Sequence, residues 1–504
     1  MNFKKTAVIN SAVGLISQVI MIVFQFLTRS LFLQYLGDEL LGINSTFTSV
    51  IGALSLAELG FQTAIIYSLY KPLKEEDHAQ INKVVSIFCY VYRVIGVLFI
   101  VISFVVLPFI RFILKGVEIT GEIYIFFLLQ AASTAFSYFL AYKRTLLSAD
   151  QKEYIAKVID LIVNVICNLL KIYSIVWLKN YYGYLIISIA QVVVSNLIVH
   201  YMCKRLYPYL KLGKLDWEIF RTIWKDVKDV FATKIAGYIY GSTDNIIISA
   251  VINTVAVTFF TNYKTIILSL KTLTTGMLSP LAPIIGRMLA EDDTDEGKER
   301  KFVLYSHIRF IIALVIVIPC YVLLDDCIRI WVGERYVMSQ VISVLLCIDL
   351  YIHLVHSGTC DYINGSGLFK EEKKIEIIGA IINIVLSIAL CKVWGIPGIL
   401  LGTAIAQVWF WIGRSVVVYR YCFTVEKKKW VIHWTQNIVD MIFTVGCTGL
   451  CLFVYSHFHM KHLIIQFIAG GLMCEACIAV AYLLCYFRTQ RWKGLWNIVR
   501  RINK

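Results

Sequence analysis

Charge is scarce in this sequence. Of 504 residues only 16% are Asp, Glu, Lys or Arg, against about 25% in an ordinary soluble domain, and that shortage excludes a conventional water-soluble fold. Proline is scarce as well, with seven in the whole chain and no Gly/Ser-rich stretch to act as a linker, so one continuous domain is expected. No G-x-x-x-x-G-K-[ST] occurs, so the chain has no ATP-binding loop of its own. Any work it does must draw on an ion gradient, on the membrane potential or on consumption of a product. The H-E-x-x-H and G-x-S-x-G motifs are missing too, and nothing specifies hydrolysis.

Apolar residues fill the space these absences leave: 59% of the chain is hydrophobic and mean hydropathy is +0.73. The fourteen cysteines mostly sit inside apolar runs, as Cys89, Cys167, Cys347, Cys447 and Cys451 do. A thiol there packs as a small hydrophobe, so no disulfide framework is expected. The one C-x-x-C, Cys474 to Cys477, lies in a helical apolar run and is read as packing rather than as a metal or redox site. His457, His459 and His462 are irregularly spaced without a carboxylate, so no metal site is expected. Asp293-Thr294-Asp295 lies within the charged run Glu291 to Glu299 and is read as a solvated acidic loop.

A bilayer core requires about 20 apolar residues per helix, and Thr6 to Thr28 contains no charged residue. This first run is too long for a signal-peptide core and is expected to remain as a signal anchor. The same reading places spans near 6–34, 40–68, 84–110, 119–142, 155–178, 183–203, 229–251, 254–286, 302–324, 336–363, 375–395, 398–419, 436–456 and 463–487. Thirty-three Lys and Arg then fall on the side holding both ends of the chain and seven on the other. The positive-inside rule therefore puts both termini in the cytoplasm. This asymmetry accounts for the net charge of +15 without nucleic acid.

Two connecting segments are amphipathic. Phe220, Ile223, Trp224, Val227 and Phe231 recur at helical spacing between Lys214 and Phe231, and Trp492, Leu495, Trp496, Val499 and Ile502 do so among basic residues at the C-terminus. Both are expected to lie along the membrane surface, in contact with membrane lipids. The first divides the spans into six and six, with two more following. The expected fold is all-α and integral to the membrane, with about 14 transmembrane helices. The expected divisions are an N-terminal six-helix lobe over 1–205, a linker helix and second six-helix lobe over 206–430, and two extra helices with a basic tail over 431–504.

With Lys157 and Lys392 at span ends counted with the flanking loops, eight cations remain inside the spans: Arg29, Arg93, Lys171, Lys234, Lys264, Lys271, Arg309 and Arg414. Each costs about 2.5–3.5 kcal/mol at a helix centre on insertion scales and belongs in a bundle interior or in water. Arg93, Arg309 and Arg414 lie near expected span ends and are read as snorkelling. The others share helical stripes with neutral polar groups. Gln25 and Arg29 fall on one stripe of span 1, and Asn44, Thr48, Ser55, Glu58 and Gln62 on one stripe of span 2. Lys157, Asp160, Asn164, Asn168 and Lys171 follow in span 5; Lys234 and Asn245, then Lys264 and Lys271, follow in spans 7 and 8. Such seams suit a hydrated cavity. Internal pairing, Asp244 with Lys264 or Arg29 with Glu58, is the competing explanation. By this count cations exceed anions, and the surplus suits an anion such as a diphosphate.

Two stretches carry a resemblance. Gly42-Ile43-Asn44 through Ala57-Glu58-Leu59-Gly60 to Tyr70-Lys71-Pro72-Leu73, and Gly241-Ser242-Thr243-Asp244-Asn245 with Asn262-Tyr263-Lys264, resemble the polysaccharide-transport (Wzx-like) flippases of the multidrug/oligosaccharidyl-lipid/polysaccharide (MOP) exporter superfamily. The resemblance implies two six-helix lobes around a central cavity. It also implies an undecaprenyl-diphosphate-linked glycan as cargo, moved by alternating access across the bacterial cytoplasmic membrane for capsule, O-antigen or exopolysaccharide assembly. It further implies a non-enzymatic transporter without a cofactor, with a polysaccharide polymerase and glycosyltransferases as partners. By matching position, Arg29, Lys234 and Lys264 become cavity cations, with Asp244 their structural or coupling partner. Members often have twelve spans, so two extra spans leave room for a lipid II-type peptidoglycan precursor flippase. Multidrug export by the same fold, and a membrane polymerase or ligase of lipid-linked sugars, are the remaining alternatives.

Overall fold

In the computed structural model, residues 3–55, 61–140, 142–213, 215–221, 224, 237, 241–278, 294–423, 427–457, 460, 462–494 and 496 are described. No β-strand occurs among them, and helices account for nearly all of them. The chain divides into two compact units, Met1–Thr261 and Asn262–Lys504. The break lies beyond the 205/206 boundary read from the sequence.

The first unit contains α1 (Phe3–Leu36), α2 (Asp38–Leu54), α3 (Phe61–Lys74), α4 (His78–Val106), α5 (Gly121–Leu140), α6 (Tyr142–Ala149), α7 (Glu153–Val176), α8 (Tyr181–Leu206) and the short α9 (Asp244–Ile247). The unit break falls inside α10 (Thr254–Leu278). The second unit continues with α11 (Asp295–Trp331), α12 (Gln340–Ser366), α13 (Phe369–Trp394), α14 (Ile396–Val417), α15 (Lys427–Ser456) and α16 (Leu463–Tyr486).

Local chemistry explains where these helices begin. The Asp77 carboxylate accepts from Gln80 N at 2.9 Å ahead of α4, and the Asn180 amide oxygen accepts from Tyr182 N at 2.9 Å ahead of α8. Both occupy backbone donors that the first helical turn leaves without partners. Thr294 caps α11 by accepting from Gly297 N, so two residues of the Asp-x-Asp are helix-start chemistry, Thr294 as the cap and Asp295 in the first turn. Asp293 lies outside the described residues.

Among the described residues ten helices are long and apolar enough to cross a membrane. Their outward faces carry large apolar side chains: Val393, Val445 and Leu484 are 71, 72 and 81% exposed. In a water-soluble protein such surface would drive aggregation, whereas on a membrane protein it meets lipid. The chain is thus a multi-pass membrane protein. Of the expected spans beyond these ten, the fifth and eighth are the continuous, polar-striped helices α7 and α10. The second is represented by α2 and α3, with residues 56–60 between them outside the described residues, as are residues 229–236 and 238–240 of the seventh.

Small residues allow the closest approaches. A Cβ on Gly42 of α2 would stand 2.3 Å from the Thr254 carbonyl oxygen, and one on Gly398 of α14 would stand 2.2 Å from the Leu390 carbonyl oxygen of α13. Backbone contact of this kind is what glycine provides between membrane helices. In the expected surface segment, Trp217 packs edge-on to Phe220 at 5.6 Å and Phe220 stacks on Trp224 at 5.9 Å. Asp216 accepts from Ile219 N there and pairs with Lys83 at 3.2 Å. These contacts hold the Asp216 carboxyl below its usual range. In the tail, Trp492 stacks on Trp496 at 6.2 Å; Ile223, Val227, Phe231, Leu495, Val499 and Ile502 lie outside the described residues.

Candidate functional site

The first unit holds two membrane-embedded cations, Lys171 and Arg29, the former beside an aromatic ring. Helix α7 brings Lys171 into the interior, where its ammonium donates to Gln191 Oε1 of α8 at 2.6 Å and stands 5.3 Å from the centre of the Tyr184 ring. Gln191 in turn donates to Asn164 Oδ1 at 2.6 Å. Lys171 is buried, and its partners among the described residues are neutral: an amide and an aromatic face. On α1, Arg29 donates to the Thr258 carbonyl oxygen at 3.3 Å and to the Thr261 hydroxyl of α10. Embedded cations held by neutral groups make a place where an anionic group finds charge already placed and partly desolvated.

Beside Tyr184 opens a pocket of about 350 Å³ without a charged group in its lining. Asn44, Thr48 and Ser55 of α2 form one wall, and Gln130 and Ser133 of α5 form another. Those α2 residues are the polar stripe read from the sequence, and helical spacing is what aims all three at one place. Gln130 Nε2 donates to Thr48 Oγ1 at 2.7 Å, and Tyr181 donates to Asn44 Oδ1 at 3.0 Å.

Other expected site residues are placed differently. Asp160 does not join a cavity seam as an isolated acid: Arg144 of α6 forks onto its two carboxylate oxygens at 2.7 and 2.8 Å, and Ser195 also bonds to it. The ion pair locks α6, α7 and α8 together. In the second unit Lys271 is ion-paired with Asp349 of α12, which also accepts from Gln407 of α14. That corrects the charge balance drawn from spans 1, 7 and 8, because Asp349 comes from span 10. The snorkelling expected for Arg309 and Arg414 is also corrected. Arg309 is buried and bonded to Tyr305 and Asp361. Arg414 bonds Glu372, Glu376 and His356. Each finds carboxylates inside the protein, and this offsets the desolvation that snorkelling would avoid.

Asn245 of α9 donates to Ser49 of α2 at 3.0 Å, and Asp244 is buried at the start of the same short helix. Lys264 is half-buried on α10, two turns before Lys271, and Gln25 is exposed on α1. Glu58 and Lys234 lie outside the described residues. The sequence reading missed Gln130, Tyr184 and Gln191. Two of these, Gln130 and Gln191, are amides amid apolar residues, the signal that had singled out span 2. Tyr184 gave no signal, since tyrosine at a span edge is ordinary.

No family model matches the chain, and no curated protein matches it. Solved structures do. The lipid II flippase MurJ, in an inward closed conformation, aligns with 93% of this chain and 98% of its own length, at a TM-score of 0.69 and 15% identity. An inward-facing multidrug resistance MATE family transporter of the MOP superfamily aligns with 80% of this chain and 98% of its own, at 0.61 and 16% identity. The chain has the MOP exporter fold. A MOP superfamily transporter from Pyrococcus furiosus, described as having a binding pocket of reverse polarity, aligns with 82% of this chain and 96% of its own, at 0.56 and 19% identity. These are likenesses of fold, and a flippase and multidrug transporters are both among them.

Proposed function

We propose that the chain is a flippase, not an enzyme, that carries an undecaprenyl-diphosphate-linked oligosaccharide across the bacterial cytoplasmic membrane by alternating access, supplying surface polysaccharide assembly. The observation that carries this reading is Lys171, a buried ammonium whose partners among the described residues are neutral, the Gln191 amide and the Tyr184 ring. A buried cation with neutral partners is costly in the resting protein, and an anionic cargo is what offsets that cost. Arg29, Lys171 and Lys234 of the first unit are the cations offered to the diphosphate, and Lys264 is a separate candidate in the second unit. Lys271 serves its own unit through Asp349. Asn245 ties α9 to α2 through Ser49, and Asp244 is offered as the coupling group beside it.

Multidrug export uses the same fold, but organic cations call for buried carboxylates, and α1 presents Arg29 with no acid between Thr6 and Thr28. The fold likeness to a lipid II flippase favours a second reading, a peptidoglycan precursor as cargo, which shares the diphosphate and the polyprenyl tail. The test is transbilayer movement of a fluorescent undecaprenyl-diphosphate-linked sugar in liposomes holding the purified chain. Arg29→Ala and Lys264→Ala should each slow it at least tenfold. Wild-type rates in both variants would sink the reading.

A further inference from the structure

The pocket beside Tyr184 has a hydrogen-bonding polarity of its own. The Thr48 hydroxyl donates to the Asn44 carbonyl oxygen at 2.7 Å, that of Ser55 to the Ile51 carbonyl oxygen at 2.8 Å, and that of Ser188 to the Tyr184 carbonyl oxygen at 2.9 Å. Ser133 reaches the Ser188 carbonyl oxygen at 3.4 Å. Each hydroxyl has one proton to give and has spent it on backbone, which leaves oxygen lone pairs as what it can offer to the pocket. Gln130 adds a buried Oε1 that finds no donor among the described residues. Such an orphaned acceptor is costly unless a ligand or water satisfies it.

A lining rich in acceptors and free of charge discriminates. It offers phosphate no positive charge and, beyond Asn44 Nδ2 and the Thr134 and Tyr184 hydroxyls, few donors, and it offers an organic cation no countercharge. A neutral molecule bearing many hydroxyl or amide donors fits it, and the Tyr184 ring gives that molecule an apolar face to lie against. At about 350 Å³ the space is at the small end of ligand pockets, which run to about 300–1,000 Å³. We infer that this pocket holds one neutral sugar ring of the cargo, read from the acceptor lining of α2, α5 and α8. The inference rests on the flippase reading for the identity of the cargo. It separates the duties of the first unit: Arg29 and Lys171 hold charge, and the neighbouring pocket reads hydroxyls.

The pocket is tested by saturation-transfer NMR on the full chain in lipid nanodiscs, with free glucose, galactose, mannose, N-acetylglucosamine and N-acetylgalactosamine as probes. At least one sugar should receive magnetisation from the wild type, and the Thr48→Val/Ser133→Ala double variant should reduce that signal at least fivefold. Should this variant unfold at lower temperature than the wild type, Ser188→Ala takes its place. No signal from any of the five sugars, or equal signals in wild type and variant, overturns the proposal. In liposomes, movement of the sugar-bearing lipid relative to sugar-free undecaprenyl diphosphate should fall at least fivefold in the same variant, and an unchanged ratio also counts against the pocket. If the wild type moves neither lipid, the flippase reading falls, while the NMR signal still decides whether the pocket binds sugar.

Discussion

Lys171 and Tyr184 face each other across the α7–α8 pair, ammonium to ring centre 5.3 Å, with Gln191 as the only hydrogen-bond acceptor the lysine reaches among the described residues. This geometry holds a positive charge in the membrane-embedded part of the protein without cancelling it, and stability and function should therefore pull in opposite directions at this position.

Lys171→Met removes the charge at similar length. Removing a buried charge relieves its desolvation cost, which offsets the donor lost to Gln191 Oε1, so the unfolding temperature in detergent should hold or rise. Movement of the lipid-linked sugar in liposomes should fall at least tenfold. A variant that is less stable yet transports normally would make Lys171 a structural group only.

Lys271 and Asp349 should behave in the opposite way, since each neutralises the other. Asp349→Leu leaves an uncompensated buried ammonium and should cost about 3–5 kcal/mol. The Lys271→Met/Asp349→Leu double variant should recover most of that loss. Thermal unfolding of the four members of the cycle gives the coupling directly, and a sum of single effects equal to the double effect would show that the two do not interact.

Arg414→Lys tests whether a planar fork is required where Glu372, Glu376 and His356 converge. A lysine is a point charge and cannot bridge all three. With one or more charged hydrogen bonds lost, destabilisation of about 1.5–3 kcal/mol is expected, read as a lower unfolding temperature with transport per folded molecule unchanged.

Gly42→Ala would place a Cβ against the Thr254 carbonyl oxygen. That atom belongs to the backbone and cannot rotate away, so overpacking of about 1–3 kcal/mol is expected. Gly446→Ala, where an added Cβ meets nothing within 4 Å, should cost nothing. Equal unfolding temperatures for the two variants would refute the close approach.

Reading the chain as a series of apolar runs recovered much of the fold, because the cost of burying backbone polar groups in lipid leaves a long apolar run one structural option, the helix. The expected span 84–110 lies within the helical run His78–Ile113, and 463–487 nearly coincides with α16. The polar stripe of α2 was legible for a similar reason: helical period turns Asn44, Thr48 and Ser55 into one face. Pairing was not legible. Asp349 is an acid within an apolar run, as visible as Lys271 by the same rule, but nothing in one dimension says that the two meet.

By itself, the sequence determined that this chain inhabits a membrane as a helical bundle carrying membrane-embedded cations, since composition and period act locally, through the cost of each residue in lipid. Which charges remain open was decided by tertiary structure. Lys271, Arg309 and Arg414 met carboxylates from distant helices, whereas Lys171 met an amide and an aromatic ring. Electrostatic energy depends on distance in space, and distance in space is set by packing.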